Sequence, residues 1–357
     1  MEIKVSPIAQ EKRKAKPTDE SQLGFGKIFT DHLFTMKYHD TRGWYDPHIE
    51  SYHPFSLDPT AMCFHYGQEI FEGLKAYRGK NGEIYLFRPE ENIKRMNASA
   101  ERLCMPALDI ELVLEAIKKL ALLEKDWIPH GKGTSLYIRP TMIATEPALG
   151  VRPSNEYLFF IVLSPVGAYY PEGFNPTKIF VSQDHVRSVR GGTGACKAGG
   201  NYAASLYAGQ IAKNMGYTQV LWLDAIERRY IEEVGTSNVF FVIGDELITP
   251  PLSGSILPGI TRDTVIKIAK RWGINFSERP LSMDEFIGTL GEGKLKEAFA
   301  SGTAAIISPI GTIYYQKKEY LINNGAPGAL SKKLFDEILQ IQYGYKDDPF
   351  GWRMQIS

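Results

Sequence analysis

The chain has 357 residues, of which 43% are hydrophobic and 12% aromatic, enough apolar material for roughly two globular domains. Lysine plus arginine and aspartate plus glutamate each number 41, so the formal net charge is zero and favours neither a nucleic-acid nor a membrane partner. The three cysteines, Cys63, Cys104 and Cys196, are too few and too widely spaced for a disulfide framework or a zinc site. No apolar signal segment opens the sequence, and we expect a soluble, cytoplasmic protein without a metal.

The N-terminal part predicts strands with two adjacent helices. Residues 1–26 are polar and predict an arm, and strands are predicted at 28–39, 83–88, 135–145 and 156–164. A helix is predicted over 89–103, because Pro89 opens it and acidic residues fill its first turn. A second helix is predicted over 109–127, with Asp109 as its N-cap and an apolar stripe behind it. These elements predict a small α+β domain over 27–166.

A segment rich in proline, glycine and tyrosine, 167–176, predicts a linker between domains. The remainder, 177–357, mixes both kinds of element and predicts a second, larger domain. Its predicted elements are a helix at 201–215, a strand at 219–224, a helix that begins near 258 after the segment 229–250, and a last helix near 328–342.

The stretch GGTGACKAGGNYAAS surrounds a single lysine, Lys197, with glycines. It matches neither the P-loop nor the GxGxxG dinucleotide pattern, and the chain has no GxSxG or HExxH motif. A lone lysine without a metal or nucleotide motif favours Schiff-base chemistry of the pyridoxal phosphate kind.

Pyridoxal phosphate also needs an anion site and a carboxylate for its ring nitrogen. In LPGITRD, the backbone N–H groups of Ile260 and Thr261 would begin a helix and are suited to a phosphate. Glu232 and Glu233 are the candidate carboxylates, and strand alternation allows only one of them to face the cofactor. The pattern alone leaves that choice open.

Many motifs in order closely resemble the branched-chain amino acid aminotransferases, class IV enzymes of pyridoxal-phosphate fold type IV. They include FGKIFTDH, HYGQEIFEGLKAY, LFRPEENIKRM, GTSLYIRP, EEVGTSNVFF, SGSILPGITRD and ASGTAA, and the likeness runs from Phe25 to about residue 344. The resemblance implies an α/β, or α+β, two-domain fold with a smaller N-terminal domain, a larger C-terminal domain and the cofactor at the domain interface.

The resemblance also implies roles for residues. Lys197 would carry the Schiff base, Tyr202 would contact the phenolic oxygen, and Glu233 rather than Glu232 would pair with the ring nitrogen. The other implied cofactor contacts are Arg95, Thr236, Ile260, Thr261 and Thr303. The implied substrate contacts are Phe25, Tyr66, Phe71, Tyr137, Arg139, Val151, Tyr169, Thr303 and Ala304.

The implied activity is transamination between L-leucine, L-isoleucine or L-valine and 2-oxoglutarate (EC 2.6.1.42), carried out by a homodimer that shares substrate contacts between its subunits. Two alternatives have the same fold: a D-amino acid aminotransferase and an aminodeoxychorismate lyase. A non-catalytic phospholigand-binding protein is the alternative from another class.

Overall fold

The structure, a computed structural model, describes residues 1–167 and 174–357. Its strands are β1 (Lys4–Val5), β2 (His32–His39), β3 (Gly43–Ser51), β4 (Glu69–Phe71), β5 (Leu74–Arg78), β6 (Ile84–Phe87), β7 (Ser135–Ala144), β8 (Glu156–Val166), β9 (Thr177–Val181), β10 (Gln219–Leu223), β11 (Ile231–Val234), β12 (Ser237–Ile243), β13 (Glu246–Thr249), β14 (Asn275–Glu278), β15 (Leu295–Gly302), β16 (Ile306–Tyr315), β17 (Lys318–Leu321) and β18 (Arg353–Gln355). Its α-helices are α1 (Met62–Tyr66), α2 (Pro89–Arg102), α3 (Ile110–Leu123), α4 (Gly199–Ala203), α5 (Leu206–Asn214), α6 (Ile260–Arg271), α7 (Met283–Gly291) and α8 (Ala329–Gln342).

The chain forms two compact units. The first comprises Met1–Pro171, Cys196–Gly199 and Gln340–Ser357, and the second comprises Glu172–Ala195 and Gly200–Leu339. The segment that carries Lys197 therefore groups with the first unit. The predicted domain limits stay predictions, and most of the predicted linker lies outside the described residues.

The first unit is built on a sheet with the strand order β1-β3-β2-β8-β7-β5-β6-β18, and β4 pairs with β7. All pairs are antiparallel except β1 with β3. One buried apolar cluster combines Phe34, Met36 and Phe159 of the sheet with Ile93 of α2 and Ile117 of α3. Alternation along the strands thus buries one row of side chains under helices, and residues between them face the other way.

Local signals set the starts of α2 and α3 where they were predicted. Pro89 occupies the first turn of α2 together with Glu90 and Glu91. The Asp109 side chain accepts a hydrogen bond from the Leu112 backbone N–H at 2.9 Å and caps α3. The predicted single helix over 201–215 is wrong, because α4 ends at Ala203 and α5 begins at Leu206. Between them, the Ser205 hydroxyl donates to the Tyr202 carbonyl at 2.7 Å, a local bond that competes with the helical pattern.

The second unit contains a sheet with the order β11-β10-β9-β16-β15-β12-β13-β14. A further pairing of β11 with β12 closes six of these strands into a ring, while β17 extends β16. Its core includes Phe241, which meets Phe286 of α7 edge to face at 5.8 Å between ring centroids. β11 carries both candidate carboxylates, Glu232 and Glu233. α6 begins at Ile260, so the turn that was predicted to bind a phosphate lies at the N-terminus of a helix.

Within residues 1–167 and 174–357, none of the helices is both long and apolar enough to cross a membrane.

Candidate active site

The segment that carries Lys197 is bound to the first unit on both sides. The Phe71 N–H donates to the Lys197 carbonyl at 3.0 Å, and the Lys197 N–H donates to the Ser99 hydroxyl at 3.0 Å. Ile70 and Ala198 form an antiparallel bridge next to these bonds. The backbone of the lysine is therefore fixed by β4 and α2.

The Lys197 amine lies 4.8 Å from the centroid of the Phe71 ring. Although the residue keeps some exposed surface, its amine is enclosed by protein, and this loss of water together with the charge of Arg95 lowers the pKa of Lys197 from 10.5 to about 8. The Glu72 carboxylate opposes that shift. Roughly a tenth of such an amine is neutral at pH 7, far more than for an ordinary lysine. A neutral amine is what nucleophilic and base chemistry require.

Arg95 forms a two-pronged ion pair with Glu72. Its Nε lies 2.7 Å from Oε1 and its Nη2 lies 2.9 Å from Oε2. Burial alone would raise the pKa of Glu72, but Arg95, supported by the Asn92 amide at 2.8 Å, holds it below its usual value. The pair fixes a guanidinium close enough to Lys197 to lower the pKa of its amine.

Four predicted substrate residues meet in the first unit. The ring of Phe25 packs edge-on against Tyr137 at 4.9 Å, and the Arg139 guanidinium carbon lies 4.7 Å from the centroid of Phe71. Arg139 Nη2 donates to the Tyr137 hydroxyl at 2.9 Å. The Arg139 Nε–H is buried and has no hydrogen-bond partner among the described residues. An apolar wall with a buried unsatisfied guanidinium N–H suits a ligand that is largely apolar and carries a carboxylate.

In the second unit, three predicted cofactor residues line one pocket. Tyr202, Glu233 and Thr236 share it with Arg187, Asn201, Ser205, Gly235 and Leu257. Glu233 is buried, and its Oε2 lies 2.6 Å from Arg187 Nε. Its Oε1 accepts from the Asn238 amide at 3.1 Å. This pocket therefore contains a buried carboxylate held in place from two sides.

Glu232 and Glu233 line different pockets, as alternation on β11 requires. Glu232 lies with Arg190 and Asp224, and its Oε1 accepts from the Ser255 hydroxyl at 2.5 Å. Burial raises the pKa of Glu232. Only Glu233 shares a pocket with Tyr202 and Thr236.

Asn238 joins Glu233 to the start of α6. Its amide also donates to the Leu257 carbonyl at 2.9 Å. Its Oδ1 lies 2.0 Å from where a Cβ on Gly259 would stand, so glycine is the residue that fits before the helix. Ile260 and Thr261 follow in the first turn, where the positive end of the helix dipole attracts anions.

Thr303 and Ala304 lie in the turn between β15 and β16. The register places Ser301 beside Asn238, and Asn238 beside Glu233, so the three side chains share one face of the sheet. The Ser301 hydroxyl is buried without a hydrogen-bond partner in the described part of the chain.

Three predicted substrate residues are not part of these groups. Tyr66 is 37% exposed at the end of α1, and Val151 is 86% exposed in a bend. Tyr169 lies outside the described residues.

Several polar partners were not predicted from the sequence. Glu72, Arg187 and Asn238 each bind a predicted residue directly. Asn238 lies within the EEVGTSNVFF motif and Glu72 within HYGQEIFEGLKAY, but neither motif by itself indicates the role of these two residues.

Comparison with known proteins defines the class. Residues 69–313 match the family model of class IV amino-transferases, and the chain belongs to this family. Branched-chain-amino-acid aminotransferase 2 of Bacillus subtilis (strain 168) is 54% identical over 345 residues, which cover 97% of this chain and 95% of the relative. A probable branched-chain-amino-acid aminotransferase of Staphylococcus epidermidis (strain ATCC 12228) is 49% identical over 357 residues, covering 100% and 99% of the two chains.

Solved structures agree with the sequence relatives. A crystal structure of the Escherichia coli branched-chain amino acid aminotransferase has a TM-score of 0.77 at 28% identity and covers 92% of this chain and 99% of its own. A T.th. branched-chain amino acid aminotransferase complexed with N-(5'-phosphopyridoxyl)-L-glutamate has a TM-score of 0.74 at 26% identity, covering 90% and 98%. Within class IV, the chain is a branched-chain amino acid aminotransferase of fold type IV, with pyridoxal phosphate as its cofactor, and the resemblance found in the sequence is confirmed.

The residues present fit this cofactor. The first unit supplies an enclosed amine whose pKa is lowered to about 8, with a fixed guanidinium nearby. The second unit supplies a buried carboxylate, a helix start and the buried Ser301 hydroxyl that no described residue satisfies. An amine, a carboxylate and anion donors are the donor set that a phosphorylated pyridine aldehyde requires.

Proposed function

We propose that this chain exchanges amino groups between L-leucine, L-isoleucine or L-valine and 2-oxoglutarate, with Lys197 as the reactive amine. The observation that carries the proposal is the enclosed Lys197 amine beside Phe71, whose pKa is lowered to about 8 by burial and by Arg95. The T.th. enzyme, solved with a phosphopyridoxyl-glutamate and with 4-methylvaleric acid, supports both an acidic and a branched apolar substrate.

Bound pyridoxal phosphate supplies an aldehyde for the amino group and a ring that withdraws electrons from the substrate Cα. The neutral Nζ of Lys197 takes the proton from Cα, as a general base whose pKa is close to the working pH. The negative charge of Glu233, fixed by Arg187 and Asn238, would hold a proton on the ring nitrogen. Enclosure of the lysine keeps water from competing for the same proton.

The remaining cofactor contacts are assigned by their donor chemistry. Arg95 is proposed to bind the phosphate as a fixed cation, together with the first-turn donors Ile260 and Thr261. Tyr202 is proposed to donate to the phenolic oxygen. Thr236 and Thr303 are proposed as further hydroxyl contacts.

The substrate site is proposed to combine an apolar wall with two carboxylate receptors. Phe25, Phe71 and Tyr137 would contact a branched side chain, while the N–H groups of Thr303 and Ala304 would bind the α-carboxylate. The Tyr137 hydroxyl and Arg139, whose buried Nε–H lacks a partner among the described residues, would bind the distal carboxylate of glutamate. One site would then serve both half-reactions.

We further propose that the enzyme is a homodimer. The exposure of Tyr66 and Val151 in a single chain supports the idea that these residues complete the site of a second copy. Tyr169 is proposed as a further substrate contact. The cytoplasm is proposed as its compartment, which the three free cysteines support.

A spectroscopic titration tests the proposal. The holoenzyme is mixed with L-leucine and then with 2-oxoglutarate, and the visible-edge band of the bound cofactor should disappear and return. D-Alanine in place of L-leucine should leave the band unchanged. Lys197→Ala should retain the fold and abolish turnover, and full turnover by that variant would exclude Lys197 as the reactive amine.

A further inference from the structure

We propose that Gly73 is a specificity-determining position. Because Gly73 has no side chain, the Tyr137 hydroxyl can lie against its backbone. There the hydroxyl holds Arg139 in the orientation that binds the distal carboxylate of an acidic substrate. This inference rests on the proposed function, and it assigns a role to a residue of the HYGQEIFEGLKAY motif that the mechanism does not use. All the side chains involved belong to the first unit.

Gly73 has no room for a side chain. A Cβ at this position would lie 2.0 Å from the Tyr137 hydroxyl oxygen and 2.8 Å from its Cζ. The residue is not among the glycines with a positive φ, so its backbone conformation by itself would accept alanine. The requirement for glycine at this position therefore comes from Tyr137.

The backbone of Gly73 is held on both sides. Its N–H donates to Glu72 Oε2 at 3.0 Å, and its carbonyl accepts from the Asn92 amide at 3.2 Å. Glu72 is itself fixed by Arg95. The next residue, Leu74, is paired with Ile138 in the sheet. A new side chain at position 73 would therefore displace Tyr137 rather than its own backbone.

Tyr137 cannot move without losing contacts with its neighbours. Its ring packs against Phe25 at 4.9 Å, and the Arg139 guanidinium carbon lies 5.1 Å from its centroid. Its hydroxyl accepts the 2.9 Å bond from Arg139 Nη2. Displacing the ring breaks this bond and releases the guanidinium from its fixed orientation. A distal carboxylate would lose a charge-assisted partner, whereas a branched apolar side chain would lose only part of its wall.

Gly73→Ala is the test, with L-glutamate and L-leucine compared as amino donors to the holoenzyme. We expect kcat/KM for glutamate to fall roughly ten- to hundred-fold, and that for leucine by less than about threefold. Gly288→Ala is the matched control, because its Cβ would meet no atom within 4 Å. It should leave both values unchanged.

Equilibrium binding gives a readout that needs no turnover. The affinity for glutarate should weaken about tenfold or more in Gly73→Ala, while that for 4-methylvaleric acid should stay within about threefold. Equal losses for the two ligands, or no loss for glutarate, would overturn the proposal. Failure of the wild-type enzyme to transaminate would instead count against the proposed function.

A second substitution tests the contact itself. Tyr137→Leu removes the hydroxyl and the Cζ that the new Cβ would strike, so adding Gly73→Ala to it should cost several-fold less than adding it to the wild type. If Gly73→Ala alone does not fold, the double variant is still expected to fold. A double variant that also fails to fold, or effects that simply add, would show that Tyr137 is not the reason for glycine.

Discussion

Arg187 and Glu233 form a buried ion pair in which Nε lies 2.6 Å from Oε2, with only 9% and 4% of the two side chains exposed. Arg187 is held in turn by the Gly194 carbonyl at 3.1 Å and by the Ser255 carbonyl. A carboxylate removed from water is stable only with such compensation, and the pair therefore keeps a negative charge available inside the pocket of Tyr202.

Removing the guanidinium should destabilise the enzyme strongly. Arg187→Gln leaves the Glu233 charge buried without its cation, and we expect the free energy of unfolding to fall by about 3–5 kcal/mol in urea denaturation. Adding Glu233→Gln should recover part of this loss, because the uncompensated charge is then gone. Arg190→Gln, next to Glu232, is the control and should cost less than about 1 kcal/mol. If the effects of Arg187→Gln and Glu233→Gln on the free energy of unfolding simply add, the two side chains do not stabilise each other.

The enclosed Lys197 amine predicts a pH dependence of stability. Its pKa is about 8 in the folded chain and 10.5 without the fold, so between these values the unfolded chain binds more protons and wild-type stability rises with pH. Below pH 8 the amine is charged in both the folded and the unfolded chain, so folding carries the full free-energy cost of burying a charged amine. Apo Lys197→Met lacks this cost and should be more stable than the wild type at pH 7, with a difference that shrinks from pH 8 to 10.5.

Thermal unfolding of the apo proteins at several pH values measures this effect. Lys80→Met, at an exposed position, controls for the exchange of lysine for methionine. A stability difference between Lys197→Met and the wild type that stays constant from pH 7 to 10 would show that the amine is not destabilised in the folded chain.

The sequence was sufficient where local chemistry sets the structure. Pro89 marks a helix start by its fixed φ and Asp109 by its side-chain hydrogen bond, and both helices begin there. No residue pattern predicts the break between α4 and α5, because Ser205 is compatible with a helix and only the observed bond to Tyr202 shows the interruption. The order of strands depends on pairing between distant segments, which no local pattern contains.

In the candidate site, too, some residues could be predicted from the sequence and others only from the structure. The candidate site residues lie in recognisable motifs, whereas the partners that orient them are brought close by the fold. Arg187 reaches Glu233 from a loop far along the chain, and Arg95 reaches Glu72 from a helix. The spacing of residues along the sequence does not predict such pairs. The roles of Gly73 and Arg187 are therefore inferred from their distances to Tyr137 and Glu233 in the structure.

Exchanging the two neighbouring carboxylates for amides tests their assignment to opposite faces. Glu233→Gln removes the charge in the Tyr202 pocket, and we expect kcat/KM for L-leucine to fall roughly 100- to 1000-fold. Glu232→Gln is the matched control, because its side chain lies in the other pocket and burial already raises its pKa. It should lower kcat/KM less than tenfold. The reverse order of effects would assign the ring nitrogen to Glu232.

Gly259 predicts a defect in cofactor affinity that is separate from the chemical step. An added Cβ would stand 2.0 Å from Asn238 Oδ1, so Gly259→Ala should push Asn238 away from Leu257 and shift the first turn of α6. Because that turn presents Ile260 and Thr261, we expect the dissociation constant for pyridoxal phosphate to rise about tenfold, measured by fluorescence titration of the apo enzyme. Gly288→Ala again serves as the control, and adding Asn238→Ala should restore part of the affinity by making room. If affinity is unchanged in Gly259→Ala, the first turn of α6 does not bind the phosphate.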